Sequence, residues 1–157
     1  MKHLVILFFV LTSSVVFAQE VEISGNYDKI GKFEKGVAIV QKNGLVGLIN
    51  SDGKEIVKPQ YDKITGFGHD GIAYTHKNGM AGMINREGHV IVDNIYDRIG
   101  HFKNGNAVVV KNKLSGVISI KGKIVVEIKY DKISLEDGGL VRATKTDGTV
   151  VLLKTNQ

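Results

Sequence analysis

The sequence predicts an all-β protein made of tandem antiparallel three-stranded β-meander repeats stacked in an array, and three observations predict it. Tyr-Asp recurs at Tyr27-Asp28, Tyr61-Asp62, Tyr96-Asp97 and Tyr130-Asp131, at spacings of 34, 35 and 34 residues; a period of that size marks repeated supersecondary units. Asn43-Gly44 and Asn78-Gly79 each separate two short apolar runs, and Asn-Gly supplies the two positive φ angles of a type I′ hairpin turn. No stretch of more than a few residues places apolar side chains at helical spacing. A closed barrel- or propeller-like ring is the alternative arrangement of the same units.

Aligned on Tyr-Asp, further columns fall into register. A basic residue and Ile follow each Asp: Lys29-Ile30, Lys63-Ile64, Arg98-Ile99 and Lys132-Ile133. Phe33, Phe67, Phe102 and Leu135 precede the loop glycines Gly36, Gly71, Gly105 and Gly139, and one extra residue in the second loop accounts for the spacing of 35.

Residues 1–18, MKHLVILFFVLTSSVVFA, have a short basic start, an apolar run and small or neutral residues up to Ala18, the layout of a secretory signal. The run is shorter than the roughly 20 apolar residues of a membrane span. Cleavage is expected after Ala18, leaving a secreted or periplasmic chain with no membrane insertion. Residues 19–157 then form one repeat domain, with units at about 27–60, 61–95 and 96–129 and a partial unit at 130–153. With no cysteine there is no disulfide framework, and the fold must rest on its core. A chain of 139 residues after cleavage can bury roughly two-thirds of its unfolded surface. The formal charge of +5 falls to +4 once Lys2 leaves. The lysines are spread beside acidic residues rather than run together, which favours a solvated surface over a nucleic-acid track, and no nucleic-acid partner is expected.

In order, Glu20 to Asn26 alternates polar with apolar and reads as a short strand without an upstream partner. It corresponds to the third strand of a unit. The expectation is that it covers an exposed edge, either by pairing with the terminal runs Leu140–Lys145 and Thr149–Lys154 or by capping its own end. First strands are predicted at Val37–Lys42, Ile72–Lys77, Asn106–Lys111 and, more loosely, Leu140–Lys145. One face of these carries small residues, which let another layer come close; the other face varies from copy to copy. The third hairpin turn has Asn112-Lys113 in place of Asn-Gly, so it must carry strain. Second strands follow at Leu45–Asn50, Met80–Asn85 and Leu114–Ser119, each with a central glycine, Gly47, Gly82 or Gly116, that marks a bulge or a close-lying backbone. Turns at Asp52-Gly53, Glu87-Gly88 and Lys121-Gly122 lead to third strands ending at Tyr-Asp. Pro59, the single proline, cannot donate to a ladder, so its nitrogen must face away from a partner. In all, eleven or twelve short strands are expected, with no helix beyond the leader.

Few side chains assemble into a recognisable chemical site. His69, His76, His89 and His101 occupy four different repeat positions, and nothing in their spacing converges three or four ligands on a metal. Calcium loops concentrate several oxygens within a dozen residues; the Asp column does not, and reads instead as turn-forming carboxylates accepting N–H groups two residues on. The tyrosine column reads as core. There is no cysteine, and no serine in the setting of a nucleophile elbow. Paired carboxylates such as Glu34 or Asp70 would need to face each other across a cleft to hydrolyse a glycoside. The chain is therefore expected to be no enzyme and to hold no cofactor.

The pattern of apolar strand, Asn-Gly, a short motif ending in Gly-apolar-Ile-Asn, a Gly-Lys turn and a closing Tyr-Asp resembles the WG repeat family of bacterial proteins over about residues 20–153. The name-giving tryptophan is replaced by Val46, Ala81 and Ser115, and the aromatic after the glycine by Leu48, Met83 and Val117. The resemblance implies an all-β array with no shared catalytic residues and a role in contacts with partners. The expected partner is a protein or a cell-surface polymer. Positions that drift between copies are free to serve it, which points to His69, Asp70, Tyr74, His76 and His101. The alternative is adhesion to an anionic glycan or polymer through Lys42, Lys77, Lys111 and Lys145.

Overall fold

The computed structural model describes residues 22–155 apart from Ser24, so the proposed leader lies outside the described residues. Four antiparallel sheets follow one another along the chain, and none closes into a barrel. The first holds β1 (Lys29–Ile30), β2 (Val37–Lys42), β3 (Leu45–Asn50) and β4 (Glu55–Tyr61). The second holds β5 (Lys63–Ile64), β6 (Ile72–Lys77), β7 (Met80–Asn85) and β8 (Val90–Tyr96). The third holds β9 (Arg98–Ile99), β10 (Asn106–Lys111), β11 (Leu114–Ser119) and β12 (Ile124–Tyr130). The last has three strands, β13 (Lys132–Leu135), β14 (Leu140–Thr144) and β15 (Val150–Lys154). Within each sheet the strands neighbour one another in chain order, so every unit is a meander.

Fifteen strands are described rather than eleven or twelve. The additional ones begin at the basic-Ile pairs after each Tyr-Asp and add a short strand beside β2, β6, β10 and β14; three of them have two residues and the last has four, too few to show alternation in a sequence. The one helical element described is a 3₁₀ turn at Asp137–Gly139.

The central glycines explain how each third strand is held. Opposite Gly47 the register shifts between Val46↔Tyr61 and Leu48↔Val57, a bulge that recurs opposite Gly82 and Gly116. A Cβ on Gly47 would lie 2.3 Å from the Val57 carbonyl oxygen and 2.7 Å from the Pro59 nitrogen. Pro59 thus occupies the bulge, where its missing donor costs no ladder bond. The Asp column also acts on a turn, though not within its own. Asp28 and Asp62 each accept the N–H of the hairpin asparagine, Asn43 or Asn78, at 2.7 Å. Their strands pair with the outer flank of the hairpin, which brings a residue distant in sequence closer than the one two positions on. In the third unit Asp97 reaches the Lys113 N–H at only 3.5 Å, and Asn112 and Lys113 both adopt positive φ, 52° and 66°.

Both faces of the inner sheets are core. Val37, Leu48, Val57 and Tyr61 of the first unit bury against Ile64, Ala73 and Ile84 of the second. Ile72, Met83, Val92 and Tyr96 do the same against Ala107, Val109 and Ile118, and Val117, Val126 and Tyr130 against Ile133, Val141 and Ala143. The small-residue face receives the preceding unit. The variable face, expected to be free for a partner, is turned to the following unit in the first three sheets, where Ile39, Tyr74 and Val108 pack against the next cluster; only Arg142 of that column is exposed.

Residues 22, 23, 25 and 26 are not in a strand, because the described residues offer them no ladder partner. Ile23 and Tyr27 nevertheless pack on Ala38, Val40 and Ile49, the position that Val57 and Tyr61 hold on the second unit. The Tyr27 hydroxyl donates to Glu55 Oε2 at 2.9 Å.

Two substitutions test this account. Gly47→Ala drives a Cβ into backbone and should cost about 3 kcal/mol, whereas Gly66→Ala, with nothing within 4 Å, should stay within about 0.5 kcal/mol in the same denaturant titration. Lys113→Gly relieves a positive φ on a side-chain-bearing residue and should stabilise by about 1 kcal/mol, read as a higher melting temperature.

Candidate functional site

The interface between the second and third units differs from its neighbours at the rim. Tyr74 and His76 stand two apart on β6 and so share a face, and across from them the third unit brings Asp97, Arg98, Ile99 and His101. With Thr65 and Ala81 these residues line a cleft of about 190 Å³. The register-equivalent positions between the first two units are Ile39 and Gln41 facing Lys63 and Gly66; between the last two they are Val108 and Val110 facing Lys132 and Leu135. The imidazoles and the guanidinium are confined to the middle interface.

The cleft is built on rigid strands. The Tyr74 N–H donates to Thr65 Oγ1 at 2.9 Å, and its hydroxyl donates to the Gly100 carbonyl of the third unit at 3.2 Å. Burial, with a smaller contribution from Asp70, raises the Tyr74 pKa above the usual phenol value, so the hydroxyl keeps the proton it donates at neutral pH. Tyr74 is half-buried and thus holds two units together as well as walling the cleft. His76 is half-buried, while Arg98 and His101 are exposed at the mouth. Among the described residues no ion pair engages Arg98, which leaves its fork of N–H donors turned to solvent.

Three of the five residues singled out from the sequence therefore meet: Tyr74, His76 and His101. His69 and Asp70 do not line the cleft. They sit exposed in the longer second loop, where Asp70 Oδ1 accepts the Ile72 N–H at 3.0 Å as a turn-forming carboxylate. That loop is tied down by Arg86, whose Nη2 donates to the Gly68 carbonyl at 2.9 Å and whose guanidinium lies 5.8 Å from the Phe67 ring centroid. Arg98 was not singled out, although it is the one arginine in a column otherwise of lysine; that departure was the available signal.

Chemically the cleft offers imidazole and guanidinium donors beside an aromatic wall, with the exposed Asp97 carboxylate next to Arg98 in its lining. Among the described residues no three His, Cys, Asp or Glu side chains gather as a metal site. A volume of about 190 Å³ falls below the roughly 300 Å³ at which pockets for whole small molecules begin; it suits one inserted side chain or terminal group. A larger hollow of about 550 Å³ lies between the third and last units, lined by Asn104, Ser119, Lys123, Lys154 and Thr155 among others, and holds none of the five residues. Of the lysine column, Lys42 and Lys145 are exposed, whereas Lys77 donates to Gln60 Oε1 at 3.1 Å and stands 5.8 Å from the Tyr61 ring centroid.

No curated protein matches the chain. Among solved structures, it is similar to the computationally designed Ika4 protein at 16% identity and a TM-score of 0.39, covering 89% of this chain and 100% of that one. It is similar to virginiamycin B lyase from Staphylococcus aureus at 19% identity and a TM-score of 0.35, covering 82% of this chain and 55% of the lyase. Similarity to Kluyveromyces lactis Hsv2 is at 14% identity and a TM-score of 0.39, over 78% of this chain and 48% of Hsv2. The chain thus spans about half the length of the last two, and likenesses this distant assign it no activity. The sequence match is firmer: residues 19–45, 47–80, 82–114 and 116–148 each match the family described as WG containing repeat. With four tandem matches that run from residue 19 to residue 148 and meet one another at the starts of β3, β7 and β11, the chain belongs to the WG containing repeat family.

Proposed function

We propose that this protein is a secreted or periplasmic, non-catalytic binding or scaffold module that makes protein or cell-envelope contacts. The observation that carries the reading is the cleft between the second and third units, where Tyr74, His76, Arg98 and His101 replace the residues found at the two equivalent interfaces. Positions needed by the fold stay alike in all copies; here four columns depart together at one place and converge on one hollow. Side chains of this kind, aromatic beside Arg, are the usual anchors of binding surfaces. The size and donors of the cleft suit an acidic side chain or a chain terminus of the partner. The leader at residues 1–18 supports the location.

A second reading, adhesion to an anionic surface glycan or polymer, is supported by the exposure of Lys42 and Lys145 at corresponding hairpin ends.

Capture of partners from the cell's own envelope separates the two. His76→Ala with His101→Ala should abolish capture while the melting temperature stays within a few degrees, as for partly exposed positions. Lost capture on changing Lys42 and Lys77 instead, with steep weakening as salt rises, would move the site to the lysine column. Tyr74→Ala should behave differently from both: it removes a half-buried ring and an inter-unit hydrogen bond, so it should lower the melting temperature as well, by about 2 kcal/mol in stability. Tyr74→Phe should keep most of that stability.

A further inference from the structure

The last sheet leaves uncovered the face that the first three bury. On β14 and β15, Leu140, Val150 and Leu152 are 38%, 53% and 59% exposed. Their pairings give their places in the repeat. Leu152 lies opposite Arg142 as Leu48 lies opposite Ile39, and Val150 opposite Thr144 as Val46 lies opposite Gln41. Leu140 stands where Val37 stands in the first unit. Val37, Val46 and Leu48 all pack into the core shared with the second unit, so the exposed trio is one half of an inter-unit interface.

The edge is open as well. Among the described residues β15 pairs only with β14, whereas β3, β7 and β11 each have a further strand on that side. Those outer strands carry Lys58 and Pro59, Asp93, or Glu127 and Lys129, charges and a proline that discourage further pairing. β15 reads Val-Val-Leu-Leu before its single Lys154 and has no such protection.

The complementary half is at the other end of the same chain. Ile23 and Tyr27 have the four-residue spacing of Val57 and Tyr61, and they lie on Ala38, Val40 and Ile49 as those residues lie on the second unit. They are a third strand's core residues, and the described residues give their backbone no sheet to join.

We propose that the partner of this face is a second copy of the chain, joined head to tail. Ile23 and Tyr27 of one copy lie along β15 of another, Ile23 opposite Leu152 and Tyr27 opposite Val150, as Val57 and Tyr61 lie opposite Leu48 and Val46. The uncovered trio is then brought against the first unit of the incoming copy, which continues the inter-unit interface already present three times in the chain. The two surfaces are different, so the contact is heterologous and repeats from copy to copy.

The absence of native cysteine allows a clean test on the full chain purified from producing cells. Ile23→Cys and Leu152→Cys are prepared separately and mixed under mild oxidation, since directly opposed strand residues lie within disulfide reach. The expected product is the mixed disulfide dimer, formed at least about tenfold faster than either self-coupled dimer. The unsubstituted chain should sediment as a concentration-dependent series of oligomers with a melting temperature that rises with concentration, and Leu152→Lys should shift it to monomer and remove that dependence. Faster self-coupling of Leu152→Cys would indicate a tail-to-tail contact and overturn the proposal. So would an intramolecular disulfide in monomeric Ile23→Cys/Leu152→Cys, which would show closure within one chain, or a sample that stays monomeric at every concentration.

Discussion

The close approach of the third strand to the central glycine is the constraint on which the rest of the structure depends. At Gly47, Gly82 and Gly116 the space of a Cβ is taken by the neighbouring strand, with a Val carbonyl oxygen 2.3, 2.6 and 2.8 Å from where it would stand. This contact forces a bulge, and the bulge shifts the pairing so that Tyr61, Tyr96 and Tyr130 fall opposite Val46, Ala81 and Ser115. A slip of one residue would turn each tyrosine to the wrong face. Because the tyrosine is placed, the Asp after it is placed too, and Asp62 can reach the hairpin turn that joins β6 to β7 in the next unit. A single residue without a side chain therefore sets the register of a whole unit.

The same geometry sets the spacing between units. Ala38, Ala73, Ala107 and Ala143 are all essentially buried, and a face of small side chains admits the Val and Tyr of the preceding unit without a gap. The turn glycines take part: a Cβ on Gly88 would meet the Ile56 carbonyl oxygen at 2.9 Å, and one on Gly122 that of Ile91 at 2.5 Å. Gly53 repeats the contact with the Glu22 carbonyl oxygen at 2.5 Å, so the segment before the first Tyr-Asp meets the first unit as a third strand would, without being in one. Interfaces assembled from repeated columns exchange one apolar side chain for another in their cores, as at Leu48, Met83 and Val117, and admit charged groups at their rims, where side chains reach solvent. That is where the middle interface acquires two imidazoles and a guanidinium.

Much of this was legible in the sequence, for a physical reason: a column repeated at a fixed period reports a backbone requirement. Asn-Gly named the hairpins, the mid-strand glycine named the close contact, and the strands between them begin and end within two residues of where their turns predict. The two-residue strands were not legible, since Lys29-Ile30 is too short to show a period. Nor was the target of the Asp column, because a bond from Asp62 to the Asn78 N–H spans a strand pairing that the sequence does not state. The facing of the variable strand surface was misjudged for a related reason: drift at Ile39, Tyr74 and Val108 resembles a free surface, yet each packs against a different neighbour whose own side chains drift with it.

That last point bears on how a repeat protein can acquire a binding site at all. A change at a position such as Tyr74 is felt by two units, so it survives only if the facing unit accommodates it, here by offering the Gly100 carbonyl to the phenol. His76 and His101 carry no such obligation, being nearer the mouth, and Arg98 is turned to solvent. The cleft thus divides into a wall that must serve the array and a rim that is free of it. Recognition chemistry accumulates at the rim because the wall holds the rim's backbone fixed; substitutions there alter what the cleft can contact while leaving the registered glycines, alanines and tyrosines beneath it untouched.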